Sequence, residues 1–153
     1  AEHSARAFFA DDGISSIAFR PYVVYGPGRE VGISAGPSLA CRAAAIGECY
    51  TIPFSGLIDL IHADDVARIF LLAIASPQSG AHATNLIGRR TKTDEIVDTL
   101  ADLVPGARIS SEGPLLPVDF PHTEPALAKL FPGWSPMSLE AGLTNTIDHY
   151  RTA

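Results

Sequence analysis

The chain has 153 residues, 46% of them hydrophobic and 18% charged, and a formal net charge of −6. A chain of that length buries about 68–70% of its unfolded surface, and its composition excludes a disordered protein. The basic residues are dispersed, with Arg89-Arg90 the one adjacent pair, so the footprint that grips a phosphate backbone is missing and no nucleic-acid partner is expected.

Residues 1–12 read as a helix closed by Gly13, a natural C-cap. It has no N-cap of its own, so the expectation is that it starts upstream of residue 1. Residues 14–19 are short and β-branched, which predicts a strand buried on both faces. Tyr25-Gly26-Pro27-Gly28 is turn punctuation, and an irregular stretch leads to Gly36-Pro37. Alanine-rich residues 38–46 predict a helix stopped by Gly47, followed by two extended pieces over 50–54 and 57–61.

Asp64 is then expected to cap a helix. Val66, Ile69, Phe70, Ala73 and Ile74 recur at helical spacing as one apolar face, Asp64 and Asp65 suit the positive end of the helix dipole, and Ser76-Pro77 ends the element. Residues 83–87 predict a strand. Thr91-x-x-Asp94 resembles a capping box opening a helix that buries Ile96, Val97, Leu100, Leu103 and Val104. Proline and glycine interrupt residues 113–137, which predict irregular chain around one short helix at 126–130. Ser138 caps a final helix with a stripe of Leu139, Leu143, Ile147 and Tyr150. Strands alternating with helices predict α/β layers; strands 14–19 and 83–87 look like the last strands of a larger parallel sheet.

Cys41 and Cys49 form neither a disulfide framework nor a C-x-x-C motif, and both read as small, at least partly buried residues in a reducing compartment. No apolar run reaches the roughly 18 residues of a membrane span, and residues 1–12 lack the apolar core of a signal peptide. A cytoplasmic location without membrane partners is the expectation.

Three segments carry a family resemblance. Phe19-Arg20-Pro21-Tyr22-Val23-Val24-Tyr25-Gly26-Pro27-Gly28-Arg29 resembles the R-P-x-x-V-Y-G-P-G segment of extended short-chain dehydrogenases/reductases of the NAD-dependent epimerase/dehydratase type. Ile61-His62-Ala63-Asp64-Asp65-Val66-Ala67 resembles their h-v-D-D-v-A segment. Lys129-Leu130-Phe131-Pro132-Gly133-Trp134-Ser135-Pro136, then Ser138-Leu139-Glu140-Ala141-Gly142-Leu143, resembles their closing k-L-G-W-x-P and s-l-e-e-G-l. Order and spacing hold over nearly the whole chain; only residues 114–125 depart.

The resemblance implies an α/β fold: the last strands and helices of a Rossmann-type doubly wound parallel sheet plus a small C-terminal α/β substrate-binding domain. Residues 1–28 and 64–104 would complete the Rossmann part, and 29–63 with 105–153 would form the substrate-binding part. It implies an NAD(P)-dependent sugar or polyol epimerase, dehydratase or dehydrogenase in which a Tyr-x-x-x-Lys pair moves the substrate proton as hydride passes to the nicotinamide. Neither that pair nor a G-x-G-x-x-G loop occurs here, because Gly26-Pro27-Gly28 does not continue the pattern. The expectation is therefore a substrate-domain fragment, inactive alone, with NAD or NADP belonging to a longer protein and none bound by this chain by itself.

By the same resemblance Pro21, Tyr22 and Val23 would face the nicotinamide, at the strand edge where open α/β sheets bind ligands. Arg29 is a candidate for an anionic or polyhydroxy substrate, since a guanidinium offers a fork of donors. Ile58 and His62 complete the candidate substrate set. His62 also reads as a hydrogen-bonded structural residue, and with no second histidine at ligand spacing no metal is assigned to His62, Asp64 and Asp65. Nucleotide-sugar enzymes of the family often carry Asn near Val23 and Arg near Ile58. Both positions are apolar here, and a buried diphosphate would lack its cation unless Arg29, Arg89 or Arg90 substitutes. The expected partner is a smaller molecule, such as a free sugar, sugar acid or ketone. A homo-oligomer fits equally well, since relatives dimerise through the first helix. The alternatives are a non-catalytic ligand-binding or sensor module of the same fold, and a plain α/β interaction domain.

Overall fold

The computed structural model describes residues 1–76, 78–118 and 123–152. Along the chain come α1 (Glu2–Asp12), β1 (Ser16–Pro21), β2 (Val23–Tyr25), α2 (Gly36–Ile46), β3 (Cys49–Ile52), β4 (Leu57–His62), α3 (Ala63–Ala75), β5 (Ala81–Leu86), β6 (Arg89–Lys92), α4 (Thr93–Leu103), β7 (Arg108–Ser111), α5 (Pro125–Leu130) and α6 (Leu139–Thr152). Pro77, Pro121 and His122 lie outside the described residues, and with them the prolyl stop expected after α3 and part of the irregular stretch.

β4 decides how the molecule packs. Ile58 and Leu60 point into a core shared with Val23, Cys41, Phe54, Ile96, Leu100, Leu143 and Ile147. Ile61, on the opposite face, joins a second cluster of Ile69, Leu86, Leu127, Leu130 and Phe131. A strand covered on both faces reads as an unbroken apolar run, because alternation survives only when one face meets water. The first cluster gathers residues from all the segments that the sequence divided between two parts, since Val23, Tyr25, Ile96 and Leu100 sit with Ile58 and Leu143.

The described strands pair in small sheets across long stretches of chain. β1 and β5 run parallel from Ser16↔Ala81 to Pro21↔Leu86. β2 pairs in parallel with β4, β6 closes antiparallel on β4's other edge, and β3 pairs in parallel with β7. β1 is half-buried, not covered on both faces, and its last two residues are exposed. Helix stops follow the glycines: Gly13 and Gly47 adopt the left-handed conformation, φ 69° and 74°, which costs an L-residue about 1–2 kcal/mol.

Three expected details change. The side chain that caps α3 is His62, whose Nδ1 accepts the Asp64 N–H at 3.2 Å, so Asp64 belongs to the first turn instead of preceding it. The box opening α4 is displaced by one residue: the Glu95 carboxylate accepts the Lys92 N–H at 2.9 Å, with the Thr91 hydroxyl on the same oxygen. On α3 only Ile69 of the predicted face is fully covered, while Phe70 is half-exposed against Phe19 and Ile74 stands out in water. Cys41 is buried, and burial pushes its thiol up to about 12, whereas Cys49 is exposed, contrary to expectation. No described helix is long and apolar enough to cross a membrane.

Candidate functional site

β1 ends at Pro21, and the chain turns through Tyr22 into β2. Proline suits that exit because the leaving strand needs no further ladder donor there. The resulting edge forms one wall of a cavity of about 280 Å³, lined by Pro21, Tyr22 and Val23, by Ile33 and Ser34 from the loop after β2, and by Leu116, Pro117 and Val118 from the chain beyond β7. The three residues assigned to the nicotinamide thus share a cavity with two distant loops. It opens at the C-terminal end of a parallel strand, the place where open α/β sheets take ligands.

The loop after β2 is braced from inside and outside. Arg29 folds back on it: Nη1 donates to the Val31 carbonyl at 2.5 Å and Nη2 to Ser34 Oγ at 3.4 Å, and the same guanidinium packs on Gly32, whose φ is 106°. Outside, the Tyr150 hydroxyl donates to Glu30 at 3.2 Å and accepts the Gly28 N–H at 3.2 Å, while Arg42 pairs with the other Glu30 oxygen at 3.2 Å. Arg29 therefore braces the loop that carries Ile33 and Ser34, with one donor from each terminal nitrogen turned into it.

His62 and Ile58 sit apart from that cavity. Ile58 is fully buried in the main core. His62 lies under the turn at Gly26: the ring is edge-on to Tyr25 at 5.2 Å, and a Cβ on Gly26, whose φ is 134°, would come within 3.2 Å of its Nε2. Because Nδ1 accepts the Asp64 N–H, the neutral ring carries its proton on Nε2, which faces Thr146 Oγ1 at 3.3 Å; Thr146 in turn donates to the Gly142 carbonyl at 2.8 Å. The chain of bonds joins α3 to α6. The Val-Tyr-Gly-Pro-Gly and Ile-His-x-Asp-Asp segments meet here, and their roles at this contact are packing and capping.

Burial holds His62 below the ordinary histidine value, against the opposing pull of Asp64 and Asp65. The unfolded chain then binds a proton that the folded chain refuses, so stability falls as pH drops below about 6.5, by at most about 1.4 kcal/mol per pH unit from this group. Asp59 acts in the opposite sense lower down: burial raises its carboxyl although it accepts the Gly88 N–H at 2.6 Å, so the folded state takes up that proton first and gains from it. Urea midpoints measured against pH are expected to decline on the acid side of 6.5, and a His62→Asn chain, still able to cap α3, is expected to lose that decline. An unchanged profile in the variant would refute the assignment.

Two other depressions are lined by arginines, one of them by the remaining candidate cations Arg89 and Arg90. Arg89 and Arg90 line one of about 480 Å³ with Thr91, Glu95, Thr99 and Ser138. Arg68 lines one of about 500 Å³ with Leu72, Phe131 and Trp134. Neither includes a residue of the Pro21–Val23 wall. Among the described residues no group of three or more His, Cys, Asp or Glu is placed to hold a metal ion. Sequence reading missed Ile33, Ser34 and Leu116–Val118 as site residues, because a wall built by two irregular loops has no period. The signal available was apolar residues stranded in loops: Val31, Ile33, Leu115 and Val118 are all exposed.

Comparison with known proteins gives the setting. The sequence profile of the NAD dependent epimerase/dehydratase family matches residues 1–88, and no curated protein matches the chain. Solved structures with the same fold include a partial consensus L-threonine 3-dehydrogenase, at 16% identity and a TM-score of 0.81 over 99% of this chain and 54% of that one. The UDP-glucose 4-epimerase of Thermotoga maritima, solved with UDP-glucose, aligns at 23% identity and a TM-score of 0.74 over 99% and 50%. MoeE5, solved with UDP-glucose and NAD, aligns at 26% identity and a TM-score of 0.71 over 99% and 52%. The chain spans about half the length of these structures.

Proposed function

Because the chain belongs to the NAD-dependent epimerase/dehydratase family, we propose that it forms the substrate-side, C-terminal portion of an NAD(P)-dependent epimerase, dehydratase or dehydrogenase. In this reading the cavity at the end of β1 is where nicotinamide and substrate meet. The observation that carries it is the convergence of Pro21, Tyr22 and Val23 with the loops at 33–34 and 116–118 around one concave space.

The lining fits a nicotinamide better than a pyrophosphate. A flat ring that carries no negative charge, a pyridinium when oxidised and a neutral dihydropyridine when reduced, matches a wall of proline, valine and leucine, whereas no cation stands among the described lining residues to meet a diphosphate. When bound, the cofactor would supply or accept the hydride. This chain's residues would do the rest available to them: the backbone at Pro21–Val23 bounds the ring, the apolar loops exclude water, and Arg29, Glu30 and Tyr150 hold the substrate loop in place. The sequence holds no Tyr-x-x-x-Lys and no glycine-rich dinucleotide loop, so turnover is not expected of the chain alone.

The substrate in this reading is a small molecule, neutral or singly charged, of the free sugar, sugar acid or ketone kind. Relatives sharing the fold act on UDP-glucose or on threonine by their names, so the fold leaves the choice to the cavity. Titration calorimetry with NADH is expected to give no saturable heat at micromolar concentration. Nicotinamide mononucleotide at millimolar concentration is expected to move the Tyr22 and Val23 amide resonances of the ¹⁵N-labelled chain. Micromolar NADH binding would overturn the view that most of the dinucleotide site lies outside this chain, and shifts confined to other residues would overturn the placement of the nicotinamide.

A further inference from the structure

We infer that residues 28–34 form a lid over the cavity at the end of β1, held open by a latch of Tyr150, Glu30 and Arg42. Released from the latch, the loop swings as one piece and lays Ile33 on the facing segment at 115–118. The inference goes beyond the proposed function, since it concerns the opening of the cavity and holds whichever small molecule the cavity takes.

The two walls are held in different ways. The far one is pinned by its backbone: the Ser55 N–H donates to the Pro114 carbonyl at 3.1 Å, Ser55 Oγ donates to the Gly113 carbonyl at 2.8 Å, and Leu115 bridges Ser55. A Cβ on Gly113 would fall 2.5 Å from the Pro53 carbonyl oxygen, so this wall lies flush on the chain after β3. Among the described residues, the hydrogen bonds that join residues 28–34 to another element are those of the latch. The Gly28 N–H donates to the Tyr150 hydroxyl, and Tyr150 and Arg42 each donate to the Glu30 carboxylate, all at 3.2 Å. Neither Tyr150 nor Arg42 lines the cavity, so the latch grips the loop from outside.

The loop is built to move as a unit. Arg29 staples it through the Val31 carbonyl and Ser34 Oγ, and the Ala35 N–H closes it on the Gly32 carbonyl at 3.1 Å. At its entry Gly28 has a φ of 77° and open space where a side chain would stand. At its exit Gly36 is wedged, since a Cβ there would meet Ile52 Cγ2 at 2.8 Å. The chain therefore pivots at Gly28 while the first turn of α2 stays in place, as hinges absorb their dihedral change at a few element-terminal residues.

Closure has a source of free energy. Ile33 is 76% exposed on the loop and Val118 46% exposed on the far wall, and both line the cavity. Bringing them together removes apolar surface from water, which favours the closed form. Against it stand the latch bonds, and these are exposed and compete with water, so each is weak. Two small opposing terms leave the lid close to balance. In the closed form the cavity loses its contact with solvent, which strengthens every polar interaction inside it.

A cross-link reads the closure. Ile33→Cys and Val118→Cys are placed in a chain whose exposed Cys49 is changed by Cys49→Ser, and oxidised glutathione joins the two thiols only when the walls meet. Tyr150→Phe keeps the ring and removes the hydroxyl, and Glu30→Ala removes the carboxylate from the other side of the latch. Each is expected to speed the cross-link at least about tenfold, the factor that one hydrogen bond to a charged group carries. Hydrogen exchange separates a swinging lid from a melted loop. In Tyr150→Phe the Gly28 amide is expected to lose protection, while the Ala35 amide, bonded inside the lid, keeps its own. A cross-linking rate that either substitution leaves unchanged would overturn the latch, and an Ala35 amide that opens together with Gly28 would overturn the lid.

Discussion

Replacing Gly88 by alanine is expected to leave no cooperatively folded chain. Gly88 lies in the short link between β5 and β6, and a Cβ there would fall 1.9 Å from the Leu60 carbonyl oxygen and 2.4 Å from its carbon. Both atoms are backbone of β4, the strand that both hydrophobic clusters share, so no side chain can swing aside. Relief requires the link to move by an ångström or more, which would break the Leu60↔Arg89 pairing and pull the Gly88 N–H from Asp59. Ordinary overpacking costs about 1–3 kcal/mol. A clash of backbone against backbone belongs to the rare class above about 4 kcal/mol, a large share of the 5–15 kcal/mol that holds a domain together. Gly28→Ala is the control: open space surrounds it and only its φ of 77° is unfavourable, so about 1–2 kcal/mol is expected. Urea denaturation of the two variants compares them, and a Gly88→Ala chain within 1 kcal/mol of Gly28→Ala, to take roughly the strain cost alone, would show that the close approach is absent.

Gly88 also shows where sequence reading stops. Nothing around Ile87-Gly88-Arg89 distinguishes it from a loop glycine, because its constraint comes from a strand nearly thirty residues earlier. The helix ends at Gly13 and Gly47 were legible since their cause is local: a left-handed residue closes the last turn. β2 was hidden because three residues running into Gly-Pro-Gly look like a turn. β6, Arg89–Lys92, and β7, Arg108–Ser111, carry almost no apolar residues, so their pairing with β4 and β3 is imposed from outside, as propensity in edge strands often is.

The candidate site divides in the same way. Pro21, Tyr22 and Val23 were found because a strand end and a motif coincide. Arg29 was found as a charge, yet its direction could not be read: a guanidinium one residue past Gly28 reaches equally well outward or into its own loop, and Gly32 leaves room for the inward choice. His62 and Ile58 were given to the substrate by analogy of position, while the structure buries both, one as the cap of α3 and one in the core. The loops that complete the cavity had no signal except apolar residues at places where solvent should stand.

The paired aspartates of the Ile-His-Ala-Asp-Asp segment separate most sharply under mutation, and Asp65 is expected to be the costly one. Its carboxylate is 2% exposed; one oxygen accepts Arg68 Nη2 at 2.7 Å and the other the Met137 N–H at 2.7 Å. Arg68 also donates to the Ser135 carbonyl at 2.6 Å, so a single carboxylate in the first turn of α3 fixes the segment leading into α6. That helix then carries Leu143 and Ile147 into the core and Thr146 to His62. Hydrogen bonds to a charged group contribute about 1.5–3 kcal/mol each, and the share from Arg68 is discounted because that side chain is half in water. Asp65→Ala is therefore expected to cost about 2–4 kcal/mol, Asp65→Asn roughly half as much, and Asp64→Ala, whose carboxylate faces solvent, under about 0.5 kcal/mol. Hydrogen exchange gives the local readout: the Met137 amide should lose protection in Asp65→Ala and keep it in Asp64→Ala. Equal losses in the two variants would mean that the segment into α6 is held by its apolar contacts alone.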